Sequence, residues 1–197
     1  MGRAKTYERT DVTRKAMELF WRHGFEATST KALAQHMGIN VYSLFAEFES
    51  KQGLYEAALA LYEKEVVSQR FDALQRSDAG IAEILALLDV FASSAGSKDA
   101  AKGCFMCNAA TERSPNDLAS RESVMSNFKS NTHAINLALE NSKQRGDICP
   151  TIRCEDESKA LTATLVGLQV LMRAGTDAAF IIDAVRAARA HVEHLRR

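Results

Sequence analysis

Proline is scarce in this chain: 197 residues hold two, Pro115 and Pro150. Long stretches therefore run without the residue that most firmly breaks a helix. Alternating β-branched runs are missing too, since no segment rich in Val, Ile and Thr repeats with period two, which removes the basis for a sheet. Net charge is zero, with 25 Lys and Arg against 25 Asp and Glu. A chain with no basic excess has no general pull on nucleic acid, so any such contact must rest on local placement. No stretch approaches the roughly 20 apolar residues of a membrane span. The opening MGRAKTYERT also lacks the apolar core of a secretory signal. The chain is therefore expected in the cytoplasm, not in a membrane. There Cys104, Cys107, Cys149 and Cys154 are thiols rather than disulfides.

What remains is 46% hydrophobic and 25% charged, an ordinary globular balance, and its periodicity is helical throughout. The expected fold class is all-α. A first helix is predicted from Thr10 or Asp11 to His23, its stripe Val12, Ala16, Leu19 and Phe20 recurring at helical spacing. The stretch Thr28 to Phe48 reads as two short helices around a corner. Thr28, Ser29 and Thr30 offer capping hydroxyls, Gly38 supplies the backbone freedom of the corner, and Asn40 caps the second helix. Leu44, Phe45 and Phe48 are expected to face inward. This is a helix-turn-helix pattern, whose second helix can enter a major groove.

Ser50 is the predicted cap of a long helix from Lys51 to about Arg76, a rod of roughly 38 Å at 1.5 Å per residue. A helix capped by Asp78 follows, and then a soft linker, Ser93 to Lys102. The apolar segment Cys104 to Ala110 is predicted to stop at Ser114-Pro115, with Asn116 capping a helix to about Arg145. Two final helices are expected, near 155–174 and 177–195. The first is apolar on several sides, which points to a second copy of the chain as one neighbour.

The run Thr13 to Leu54 resembles the DNA-binding domain of the tetracycline-repressor (TetR) family. The likeness rests on Ala16, Leu19-Phe20, Gly24, Thr28-Ser29, Leu33-Ala34, Gly38-Ile39, Leu44, Phe48, Ser50-Lys51 and Leu54. Looser likeness follows at Gly103-Cys104, Ala109-Ala110, Glu112, Gly146-Asp147-Ile148, Gly167 and Ala174-Gly175. The resemblance implies an N-terminal three-helix helix-turn-helix domain (1–50) on a C-terminal helical ligand-binding and dimerisation domain (51–197), with helix 51–76 connecting them. It implies a homodimeric repressor on a near-palindromic double-stranded operator, joined through its last two long helices and released by a small-molecule effector. The family usually has Tyr where this chain has Phe45, and Glu47 and Glu49 stand beside the recognition helix.

The expected DNA-contacting residues are Lys5 in a cationic arm with Arg3 and Arg9, then Thr28, Ser29, Thr30, Asn40, Val41, Tyr42, Ser43 and Lys51. Helix N-termini favour a phosphate there, and Val41, Tyr42 and Ser43 can meet base edges. Candidate ligand residues are Phe91, Phe105, Met106, Asn108, Glu112, Met125, Phe128 and His133, apolar walls with a few polar groups. The candidate dimer interface is Leu161, Leu165, Leu168, Ile182, Val185 and Val192.

Cys104 and Cys107 form a C-x-x-C whose simplest role is as small buried hydrophobes. His133 is one nearby further ligand, too few for zinc, and no cofactor fingerprint occurs. The pair remains a candidate thiol sensor of oxidants or electrophiles. A helical thiol oxidoreductase is a more remote reading, since no general base stands beside the pair. A chain whose DNA-binding end has drifted toward binding protein is a third.

Overall fold

A computed structural model of the chain describes residues 7–113 and 117–196. Lys5 and Arg3, the break at Ser114-Pro115 and the cap at Asn116 lie outside the described residues.

Helix α1 (Arg9–His23) buries Val12, Ala16, Met17 and Phe20. Ser29 caps α2 (Thr30–Met37), its hydroxyl accepting from the Ala32 N–H at 3.1 Å. Gly38 then takes φ +75°, ψ 27°, and the Ile39 N–H reaches back to the Ala34 carbonyl at 3.0 Å. That left-handed closure ends the helix and turns the chain. Asn40 caps α3 (Val41–Phe48), its side chain accepting from the Ser43 N–H at 2.7 Å. α3 rests on the rest of the molecule through Leu44 and Phe48. Phe45 departs from the expected inward direction: it is 42% exposed, because an eight-residue helix on one support buries one narrow stripe.

Ser50 caps α4 (Lys51–Tyr62) through the Gly53 N–H at 2.9 Å. A Cβ on Gly53 would stand 2.3 Å from the Phe48 carbonyl oxygen, so glycine lets α3 and α4 meet. The long rod expected from 51 to 76 is not uniform. α4 passes into a π-helical segment (Glu63–Val67), the short α5 (Ser68–Phe71) and a 3-10 segment (Asp72–Gln75). The Ser68 hydroxyl donates to the Glu63 carbonyl at 2.9 Å, closing the wide turn. Such turns are rare and concentrate at functional sites.

The remaining helices are α6 (Ile81–Ser94), α7 (Phe105–Glu112), α8 (Leu118–Arg145), α9 (Cys154–Arg173) and α10 (Ala178–His194). Asp78 does not cap α6; it pairs with Arg76 at 2.9 Å. Gly80 precedes the helix, its N–H donating to Glu83 at 2.7 Å. Among the described residues the extended pairing is a single bridge, Ile148 to Arg196, and no helix is long and apolar enough to cross a membrane.

One core runs from end to end. Phe20 and Phe25 meet Tyr55 edge-on at 5.0 and 5.1 Å, Tyr55 meets Phe105 at 5.3 Å, Phe105 meets Tyr62 at 5.7 Å, and Tyr62 meets Trp21 at 5.0 Å. Perpendicular rings at these separations attract beyond their burial. The first helix is thereby joined to α7 through α4.

Candidate DNA interface and effector pocket

The outer face of α3 carries Val41 at 38% exposed and Tyr42 at 83%. Neither packs in the core, yet the helix beneath them is anchored, so they are presented rather than merely loose. Ser43 is half-buried and its N–H belongs to the Asn40 cap. Ser29 and Thr30 open α2, where unpaired N–H groups favour an anion.

Thr28 does not join them. Its side chain is buried and its hydroxyl donates to the Gly24 carbonyl at 2.6 Å, so it tightens the turn after α1. Lys51 is no free surface cation: its ammonium sits 4.1 Å from the centre of the Phe25 ring, and burial lowers its pKa. Glu47 turns away from the outer face to an ion pair with Arg9 at 3.1 Å, its side chain 8% exposed. The carboxylate that sequence sets against a phosphate backbone is thus held inward.

Charged contacts tie this end to the rest. Arg113 lies 4.0 Å from the Phe25 ring centre and bonds Glu26 at 3.1 Å and Gln52 at 2.9 Å. Glu112 accepts from the Glu26 N–H at 3.0 Å. Trp21 donates its indole N–H to the Gly103 carbonyl at 3.1 Å, and Arg173 donates to the Arg22 carbonyl at 3.1 Å.

Between α5, α6, α7, α8 and α9 lies a narrow cavity of about 40 Å³ that opens to solvent at its mouth. Phe71, Phe91, Phe128, Ile135 and Leu165 give it apolar walls, and Arg70, Asn127, Asn131, Thr162 and Gln169 give it polar ones. Asn131 donates to Asn127 at 3.1 Å, and Asn127 donates to Glu63 of the π-helical segment at 3.3 Å. The wall is therefore wired to the irregular turn of the connecting helix.

Of the ligand residues expected from sequence, Phe91 and Phe128 line this cavity. Phe105 and Met106 are packed in the core. Asn108 donates to the Lys102 carbonyl at 3.0 Å, and Glu112 accepts from Glu26 in the turn after α1. Met125 is 46% exposed, and His133 is on the surface. These four sit on the wrong faces of α7 and α8. Both candidate thiols, Cys104 and Cys107, do line the cavity. Arg70 and the Asn127–Asn131 pair were missed, although the i, i+4 spacing of two amides on one long helix was a usable signal.

The expected dimer residues require a similar correction. Leu161, Leu165, Leu168, Val185 and Val192 are buried within one chain, because those stripes of α9 and α10 face α8, α6 and each other. Ile182 is 39% exposed, and Val170 and Phe180 join it at 45% and 55%.

Residues 12–58 match the family model described as bacterial regulatory proteins, tetR family. Residues 80–188 match that of the tetracyclin repressor-like C-terminal domain. The chain is 32% identical over 177 residues to the HTH-type transcriptional repressor ComR of Escherichia coli (strain K12), covering 88% of this chain and 83% of that protein. Among solved structures it resembles a cysteine variant of the regulator CifR complexed with 26-bp double-stranded operator DNA. That likeness has TM-score 0.85 and 25% identity over 96% of this chain and 98% of that one. A TetR regulator from Chloroflexus aurantiacus J-10-FL matches with TM-score 0.83 and 26% identity, over 94% of each chain. With these two family models together matching most of its length and a helix-turn-helix folded at α2 and α3, the chain belongs to the tetR family of bacterial regulatory proteins.

Proposed function

We propose that this chain is a homodimeric, cytoplasmic transcriptional repressor. It binds a near-palindromic operator through α2 and α3 and leaves it when a small molecule fills the cavity. The division is a DNA-binding domain over residues 1–50 and an effector and dimerisation domain over 51–197. The observation that carries the reading is the exposed pair Val41 and Tyr42 on a helix fixed by the buried Leu44 and Phe48. Surface apolar side chains held this rigidly suit base edges and thymine methyls in a major groove. The operator complex of CifR and the repressor name of ComR support it. Regulation, not turnover, is what the arrangement serves.

The dimer face we propose is the outer surface of α9 and α10, centred on Val170, Phe180 and Ile182. The stripe Ile181, Val185 and Val192 is committed to the chain's own core, which leaves these neighbours for a second copy. Residues beside the DNA in this reading are Ser29, Thr30, Asn40, Val41, Tyr42 and Ser43, with Lys51 behind them.

Duplexes enriched from a random library on the purified protein supply the test. Tyr42→Ala is expected to weaken binding to the enriched duplex at least tenfold, the scale of about 1–3 kcal/mol per lost base contact, with no change in unfolding midpoint. Unchanged retardation in a gel, or no enriched duplex at all, contradicts the reading.

A further inference from the structure

Cys104 is the residue capping α7, and Cys107 lies in that helix's first turn. Three residues apart at a helix start, their side chains share one face, and the Cys107 thiol hydrogen-bonds the Cys104 sulfur, so closing a disulfide asks for a small inward shift of the two Cβ atoms, to about 4 Å. Both thiols are buried, and both stand on the cavity wall. Two further groups converge there. The Tyr62 hydroxyl is buried with no hydrogen-bond partner, and it lies near enough to the Cys104 sulfur for burial and that thiol to raise its pKa. Arg70, on the same wall, stacks on Phe91 at 5.2 Å and pairs with no carboxylate among the described residues.

We propose that Cys104 and Cys107 form a dithiol switch: a small organic hydroperoxide entering the cavity oxidises Cys104, Cys107 closes a disulfide on it, and the operator is released. The release rests on the operator-binding reading above; the thiol chemistry does not. The Cys107 thiol, as hydrogen-bond donor, pulls the Cys104 pKa down against the opposing push of burial, and Cys107 in turn is held protonated. Cys104 is thereby the attacking sulfur. Its thiolate takes the outer peroxide oxygen, the O–O bond breaks, and the leaving alkoxide takes a proton from water and departs as the alcohol, with Arg70 facing the developing charge. The Cys107 sulfur then displaces hydroxide from the sulfenic acid and gives up its proton, releasing water. In sum, two thiols and one hydroperoxide become one disulfide, one alcohol and one water.

The consequence for DNA follows from where Cys104 sits. Gly103 before it holds Trp21 of α1, and Phe105 after it packs on Tyr62, which packs on Trp21. Closing the disulfide draws the sulfur toward Cys107 and removes the charge beside the buried Tyr62 hydroxyl, next to the π-helical segment. The contact between α7 and α1 is the element so disturbed.

The test uses the reduced full chain with cumene hydroperoxide and, in parallel, hydrogen peroxide. We expect intact mass to fall by two hydrogens per chain, peptide mapping to place the link between Cys104 and Cys107, and cumene hydroperoxide to react faster. Cys107→Ser is expected to stop one oxygen heavier, as a sulfenic acid trapped by dimedone, and Tyr62→Phe to slow the reaction at least tenfold. Cys149→Ser is expected to react as the unaltered chain does. Oxidation is expected to abolish retardation of the enriched duplex, and dithiothreitol to restore it. An unchanged mass, a link through Cys149 or Cys154, or full retardation by the disulfide form overturns the proposal. A disulfide formed in a chain that never retards DNA supports the chemistry and overturns the operator-binding reading instead.

Discussion

Thr28 and Tyr42 are both hydroxyl-bearing residues of the helix-turn-helix, and their surroundings divide them. Thr28 is spent on the Gly24 carbonyl, whereas Tyr42 stands 83% exposed on a fixed helix. Gly38 between them is defined by its backbone rather than by crowding. It has φ +75°, and nothing would lie within 4 Å of an added Cβ. Gly38→Ala is therefore expected to cost about 1 kcal/mol, all of it conformational. Asn tolerates the left-handed region better, so Gly38→Asn should cost less. Thermal unfolding of the two variants checks this, and equal losses would show that sterics rather than φ governs the site. The thiol pair adds a dependence on pH. Because the Cys104 pKa lies below the ordinary thiol range, its thiolate persists on acidification. The oxidation rate should therefore hold below pH 8 and fall only in more acidic buffer, where an unperturbed thiol, with pKa about 8.5, has already lost reactivity. Stopped-flow oxidation across a pH series measures it.

At the scale of elements, α7 is the hub, because its start holds α1 and its end holds the turn after α1 and the start of α4. Its start presents Gly103 to Trp21, and its end presents Glu112 and Arg113 to Glu26, Gln52 and Phe25. Arg113→Ala removes a cation from a ring and leaves Gln52 and Glu26 without that partner. Amide exchange in α1 and α2 is expected to quicken several-fold while α9 and α10 keep their protection. Uniform acceleration would mean that the two ends are not separately held. Much of this was legible beforehand: helix order, the Gly38 corner and the Ser50 cap follow from local chemistry. The π-helical turn at Glu63–Val67 was not, since apolar spacing in that stretch is as compatible with a plain helix. Nor were the faces of α7 and α8 that line the cavity. Those helices carry apolar or small residues on several sides, and tertiary packing decides which side meets the cavity. Phe180 was hidden by the same effect in reverse: the strong stripe Ile181, Val185 and Val192 drew attention to the core and away from its exposed neighbour.

For the molecule as a whole, the proposed function has two copies set the spacing of two recognition helices. A carboxylate in the middle of an apolar contact face is costly to desolvate. Phe180→Glu is therefore expected to yield a monomer by light scattering, with its helical content intact and its operator affinity reduced more than a hundredfold. A dimer that survives this change would move the interface elsewhere. The central claim is that the outer face of α3 reads a major groove at a distance fixed by a partner copy. Its most direct measurement is a methylation-protection footprint of the full chain on the enriched duplex. Two protected major-groove patches, centred about 10 bp apart on one side of the duplex, are the expected result. A single patch, or protection confined to the minor groove, would contradict it.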